Sequence, residues 1–268
     1  MEQPRWDVPV VDRTEFRPAL DLPPSARQNR LTVLLRLLLL IPQFIVLWLL
    51  SIVAFVVAVI GWFGALFGGR LPRFAAEWLA GFVAYDTRVY ASMLLIVDRY
   101  PPFRFQAPEH PVRIELRPGE PLNRLAVFFR LVLVVPAAIV QGLLQAGWWT
   151  VSVIHWLVVL IMGRMPQALF EATAAVLRYR MRFQAYLLML TSTYPKGVFG
   201  DPPNSEPERS ATRPLVLTGA AKALLVIYLV LGAASWAAGS ASDQWQSEDD
   251  NPYTGDVVST LAPLPVGR

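Results

Sequence analysis

The chain has no cysteine, only two histidines, and charge on just 16% of its 268 residues. The missing cysteines exclude disulfides, thiolate metal sites and cysteine nucleophiles together. His155, between Ile154 and Trp156, has no Cys, Asp or Glu at ligand spacing, so it reads as hydrogen-bonded filler, and His110 sits in a proline-rich loop. No metal site is expected. No G-x-S-x-G, H-E-x-x-H, P-loop or dinucleotide pattern occurs, which leaves carboxylate and arginine alone for any chemistry. The expectation is therefore a protein that is not an enzyme, with no catalytic residue and no cofactor. No basic helix with interleaved aromatics stands outside the apolar regions, so nucleic acid is not an expected partner. Met1 to Pro24 lacks an apolar core followed by a small-residue cleavage site, so no cleavable signal peptide is read there.

What the chain does have is apolar sequence. Hydrophobic residues make up 54% of it and mean hydropathy is +0.42, against about 45–50% apolar and about 25% charged residues in a soluble domain. The excess is clustered. Leu31–Phe67 contains one charge, Arg36; Leu125–Met162 contains one fixed charge, Arg130; Leu215–Gly239 contains only Lys222. A helical membrane span needs roughly 20 such residues, so each stretch is long enough. The pI near 9.6 comes from arginines flanking these stretches, a topology signal and an attraction for anionic headgroups.

The chain also repeats itself. Shifted by 94 positions without a gap, Asn29-Arg30-Leu31 falls on Asn123-Arg124-Leu125, Arg36 on Arg130, Pro42 on Pro136 and Trp62 on Trp156. Gly69-Arg70-Leu71-Pro72 falls on Gly163-Arg164-Met165-Pro166, Glu77 on Glu171, Tyr85 on Tyr179, Arg88 on Arg182 and Tyr100-Pro101 on Tyr194-Pro195. Leucines coincide by chance in so apolar a chain. Arg, Glu, Pro and Gly are costly there and need partners or special backbone geometry, so the match marks a duplicated module.

The expected fold is mostly α: two tandem membrane repeats, 18–105 and 111–199, then a transmembrane helix over 214–239. Residues 1–17 read as a polar segment, 200–213 as a linker and 240–268 as an acidic disordered tail. Each repeat begins with a short extended strand; in Val112–Arg117 apolar and charged residues alternate with period two, and Pro18–Leu22 keeps a weaker version. The long stretch that follows would run about 55 Å as one helix, against a hydrocarbon core of roughly 30 Å. Two readings fit: a helical hairpin turning near Ser51 and near Gln145-Ala146-Gly147, or an interfacial helix bending at Pro42 or Pro136 into a single span. Arginines at both ends of each stretch favour the hairpin, because positive residues kept on one side require an even number of crossings. That places the repeat loops on the cytoplasmic side of a multi-pass inner-membrane protein and the tail outside, with both repeats in the same orientation. The two strands can then pair.

The third piece of each repeat, Phe74–Asp98 or Ala168–Ser192, reads as a helix with one polar stripe. Glu77, Tyr85 and Arg88 form the stripe in the first copy, and Glu171, Tyr179 and Arg182 in the second. Such a stripe packs against protein or lies in the interface. Arg36 and Arg130 are expected to snorkel or to pair with Glu77 and Glu171. Arg70 and Arg164, between a helix-ending Gly and a helix-opening Pro, are corner anchors or contacts for lipid phosphate. In the last span, Ala233/Ala237 and Ser235/Gly239 have the small-xxx-small spacing of a packing face.

Asn-Arg-Leu, a basic residue and a Pro inside an apolar helix, Trp-Phe, Gly-Arg-x-Pro, Tyr-x-x-Arg-x-x-Ala and Tyr-Pro-Pro-Phe together resemble the bacterial membrane family named domain of unknown function 4389. The resemblance covers about 22–105 and 116–199. It departs at Ser92, where the family has Tyr (kept as Tyr186 in the second copy), and at Lys196-Gly197, which replaces Pro-Phe. The resemblance implies a tandem membrane module and no assigned activity. The functional expectation is a membrane scaffold or accessory subunit whose partners are membrane lipids, other membrane proteins or further copies of itself, with Arg36, Arg70, Arg130 and Arg164 as contacts. The alternative is a small transporter or channel, with the repeated Glu/Arg pairs (Glu77/Arg88 and Glu171/Arg182) lining an oligomeric pathway.

Overall fold

The structure, a computed structural model, describes residues 17–117, 119–201 and 214–249, with side chains as far as Ser240 in the last segment. Most of the expected N-terminal segment, most of the linker and the end of the acidic tail lie outside the described residues.

The first repeat comprises β1 (Ala19–Asp21), α1 (Arg30–Leu34), α2 (Arg36–Gly68) and α3 (Arg73–Met93). The second comprises β2 (Arg113–Glu115), α4 (Arg124–Phe128), α5 (Arg130–Leu133), α6 (Val135–Thr150), α7 (Ser152–Met162) and α8 (Gln167–Leu187), and α9 (Gly219–Asp249) follows. The chain is thus mostly helical with two tandem repeats. Their boundaries are cut by the same local chemistry. Asn29 and Asn123 cap α1 and α4, each side chain accepting a hydrogen bond from the main-chain N–H two residues on, at 3.0 Å. Gly69 and Gly163 end the long stretches in the left-handed conformation, at φ 66° and 67°. Leu95 and Met189, at φ 60° and 61°, turn the chain sharply just after α3 and α8, so these helices stop five residues short of the expected Asp98 and Ser192.

Neither stretch is a hairpin. α2 is one helix of 33 residues, about 50 Å long. Ser51 does not break it; its hydroxyl donates to the Trp48 carbonyl within the helix. Pro42 lies inside it. In the second repeat the break falls at Val151, beyond Gly147, and α6 and α7 differ in direction by 54°. Beside it, Thr150 Oγ1 donates to Ala146 O one turn back, the back-bonding that often accompanies a bend, and Ser152 Oγ donates to Trp149 O. The first repeat has Val56 and Ala58 at those positions and continues straight through.

The two repeats are related by a pseudo-twofold axis. β1 and β2 pair antiparallel, with Leu20 opposite Ile114, and those two positions are counterparts under the 94-residue shift. A residue that faces its own counterpart lies on the axis of an isologous contact. Asp86 and Arg180 form a second such pair, an ion pair at 3.1 Å. Off the axis, contacts come in reciprocal couples. Gln28 N donates to Gly163 O at 2.8 Å and Leu122 N to Gly69 O at 2.9 Å; Trp62 Nε1 donates to Val127 O at 3.0 Å and Trp156 Nε1 to Val33 O at 2.9 Å. The start of each apolar stretch therefore lies against the end of the other. The strands pair as expected, but the long helices run in opposite directions. The arrangement in which both copies enter and leave by one face fails with the hairpins that required it.

The centre of the molecule is α3 and α8, buried along most of their length. α2 packs on α3, and α6 packs on α8. α9 lies against α6 and α8 and breaks the symmetry. It approaches α6 so closely that a Cβ on Gly147 would stand 1.7 Å from Tyr228 O, and one on Gly232 would stand 2.1 Å from Leu143 O. The expected small-residue face does not do this packing: Ala233, Ser235 and Ala237 are exposed. α9 also continues past Gly239 to Asp249, into the segment expected to be disordered.

Candidate functional site: the ionic interior

Apart from Glu77, the polar stripes of α3 and α8 turn inward and are tied mainly to main-chain carbonyls. Tyr85 donates to the Gln43 side chain, whose amide donates to Pro101 O at 2.7 Å, all of it buried. Arg88 donates to Arg104 O and Phe105 O, which holds the Tyr-Pro-Pro-Phe exit against α3. Arg182 does the equivalent in the second copy, reaching Lys196 O and Pro18 O at 3.1 Å. Tyr179 sits at 3.4 Å from Ala137 O.

The two glutamates diverge. Glu77 is exposed and, among the described residues, pairs with no arginine. Glu171 accepts from Thr218 N and Oγ1 at 2.8 Å and from Gln167, so it anchors the residue that leads into α9. Burial alone would raise its carboxyl, but these donors hold it below the ordinary carboxylate range. Asp201, beside the same segment, behaves alike. Burial raises it; Arg178 at 2.6 Å and the Leu215 N–H outweigh that and hold it low. His110 is buried, accepts from Val112 N at 3.2 Å, and is kept below its usual range by burial and then by Arg88. It is a neutral structural group.

Neither Arg36 nor Arg130 pairs with the expected glutamate. Arg36, 6% exposed, meets Asp98 at 2.7 Å and also donates to Ser92 O, Val97 O and Gln28 Oε1. Asp98 additionally accepts from Asn29 N and Thr32 Oγ1. Asp98 was not among the residues singled out from sequence, because its counterpart is Ser192 and the repeat comparison passes over it. Arg130, 4% exposed, donates to Thr191 O at 2.9 Å and stacks over the Tyr186 ring at 4.2 Å, with no carboxylate paired to it among the described residues. The Tyr that the first copy lacks at Ser92 is thus a platform for this guanidinium.

Arg70 and Arg164 are exposed at the corners where the repeats meet. Arg164 forms an antiparallel bridge with Arg27, and a polar cleft of about 630 Å³ is lined by Arg27, Arg30 and Arg164. An apolar crevice of about 320 Å³ lies between the repeats, bounded by Leu37, Met93, Trp148, Trp149 and Trp156 with Arg36 in its wall. No group of three or more His, Cys, Asp or Glu side chains suited to a metal occurs among the described residues.

Neither a curated protein nor a solved structure matches the chain. One protein family does, twice, over residues 30–104 and 124–198, which are the two copies that the pseudo-twofold axis relates. The chain belongs to that family, Domain of unknown function (DUF4389), as a tandem pair.

Proposed function

We propose that the protein is an integral membrane scaffold or accessory subunit, without catalysis of its own, that binds anionic lipids or other membrane proteins. One contrast carries this reading: ionic side chains are folded inward onto carbonyls and each other, while the outside of the long helices is large and apolar. Trp48, Phe55, Phe63 and Phe67 of α2 are 51–75% exposed, which in water would be an aggregating surface and in lipid is an ordinary one. α2 and α9 are long and apolar enough to cross a membrane, as is the bent α6–α7 pair taken as one span. The compartment is the bacterial cytoplasmic membrane. Arginines stand at both ends of the antiparallel pair, Arg27, Arg30 and Arg164 at one and Arg70, Arg73 and Arg124 at the other, so charge bias does not select an orientation.

The transport alternative needs Glu77 and Glu171 to face a shared pathway. Exposed Glu77 and Thr218-bound Glu171 give it no support. The test is purification from the native membrane in mild detergent, followed by identification of what remains bound. A protein or anionic lipid retained in fixed ratio is expected. A chain that retains neither, together with solute flux in vesicles that Glu77→Gln and Glu171→Gln abolish, would replace this reading with transport.

A further inference from the structure

The pseudo-twofold axis makes each repeat a control for the other, and at one corner they differ by a carboxylate. In the first repeat, Asp98 is built into a nest of donors: the main-chain N–H of Asn29 at 3.0 Å, the Thr32 hydroxyl and the Arg36 guanidinium at 2.7 Å. In the second, the counterparts are Asn123, Ala126, Arg130 and, in place of the acid, Ser192. Two of the three donors stay, the Thr32 hydroxyl is lost at Ala126, and the acceptor carboxylate is gone. Among the described residues nothing accepts from Asn123 N. Arg130 keeps the carbonyl bond that Arg36 also makes, to Thr191 O where Arg36 has Val97 O. Among the described residues its Nη1 and Nε have no hydrogen-bond partner, although Arg130 is only 4% exposed, and Tyr186, whose ring lies 4.2 Å under the guanidinium, supplies no counter-ion. Gln28, which also accepts from Arg36, is Leu122 in the second copy.

A buried guanidinium without a counter-ion is strongly disfavoured, and a site that supplies it with one is correspondingly favoured. The corner is reachable, since Asn123 and Ser192 are both exposed. Its surroundings name the class of anion. Leu125, Phe128 and Leu131 around it are 54–70% exposed, a lipid-facing surface, and the corner lies at the mouth of an apolar stretch, where headgroups begin. An oxyanion on a lipid reaches Arg130 from that side.

We propose that the corner formed by Asn123, Ala126, Arg130 and Ser192 binds the phosphate of an anionic phospholipid, in the place that the Asp98 carboxylate fills in the first repeat. This rests on the membrane reading above and gives it a site. Because Nη1 is shielded from solvent, occupancy includes a small outward swing of the guanidinium toward Ser192, the position that Asp98 holds beside Arg36.

The test uses the full chain in nanodiscs of phosphatidylcholine, with and without phosphatidylglycerol, and compares it with Ser192→Asp, which restores the internal acid. The wild-type melting temperature should rise with phosphatidylglycerol. S192D should melt higher than wild type in pure phosphatidylcholine, gain nothing from phosphatidylglycerol, and bind it at least tenfold more weakly by native mass spectrometry. Asp98→Ser should create a second site and raise the number of tightly bound anionic lipids from one to two; should that variant not fold, S192D decides alone. Equal phosphatidylglycerol binding by wild type and S192D would overturn the site while leaving the scaffold reading intact. No phosphatidylglycerol effect on wild type would also overturn it. If inorganic phosphate in phosphatidylcholine discs reproduces the whole stabilisation, the ligand is a soluble oxyanion and the lipid assignment falls.

Discussion

The two repeats share corners and caps, yet one builds a single continuous helix facing outward and the other a bent helix that receives a third. At the α9 contact the second repeat has Gly142 and Gly147 where the first has Trp48 and Val53. Glycine lets the α9 backbone come within the reach of a missing Cβ, while Trp48 fills the equivalent surface and is 64% exposed. The lesson is that duplication fixes the frame, here the caps, the αL corners and the reciprocal Trp bonds, and that divergence at a few positions decides what each copy contacts.

The sharpest way to break that comparison is Gly147→Val. Its side chain would meet the Tyr228 carbonyl, so α9 must shift, at a cost of about 3 kcal/mol in detergent-unfolding measurements. The equivalent change in the first repeat, Val53→Gly, touches only an exposed position of α2 and should cost about 1 kcal/mol. Next is Asp98→Asn, which leaves Arg36 buried without its counter-ion. With Asp98 about a third exposed, the loss should be about 1–3 kcal/mol, visible as a lower Tm. Trp62→Phe and Trp156→Phe each remove one of two equivalent bonds and should cost about 1 kcal/mol apiece; unequal losses would show that the symmetry is geometric only.

Smallest is the acid response of the segment leading into α9. Glu171 and Asp201 both titrate lower in the folded chain than when unfolded. Their stabilisation is therefore complete above the ordinary carboxylate range, about pH 4, and is lost as pH falls through their lowered values. Limited proteolysis should release α9 sooner at pH 3 than at pH 7, and Asp201→Asn should blunt the difference.

Much of this was legible in the sequence. The 94-residue shift revealed the repeats, the alternation in Val112–Arg117 revealed a strand able to pair, and Gly-Arg-x-Pro located the corners. What stayed hidden lay in the differences between copies. Asp98 and Ser192 do not match, so the repeat points to Glu77, which is exposed, and passes over Asp98, the partner of Arg36. Asp86 and Arg180 also mismatch, yet opposite charges at equivalent positions are what a twofold axis through them permits; that signal was present and can be searched for. Arginines at both ends of α2 read as lying on one side, which conceals its continuity. Those at the far end instead meet the start of the other repeat, a long-range fact that local patterning does not carry. The bend at Val151 was hidden too, because Thr150 and Ser152 look like helix-interior residues, as Ser51 in the unbroken α2 is.

The account turns on this exchange of ends, and the absence of native cysteine makes it directly measurable. Arg27 and Arg164 are antiparallel bridge partners, with Cα atoms within disulfide reach. Arg27→Cys with Arg164→Cys should form a disulfide under mild oxidation in membranes, and Arg27→Cys with Arg70→Cys should not, since the whole length of α2 separates those positions. Cross-linking of residues 27 and 70, with none between 27 and 164, would mean that each repeat closes on itself and would contradict the structure described here.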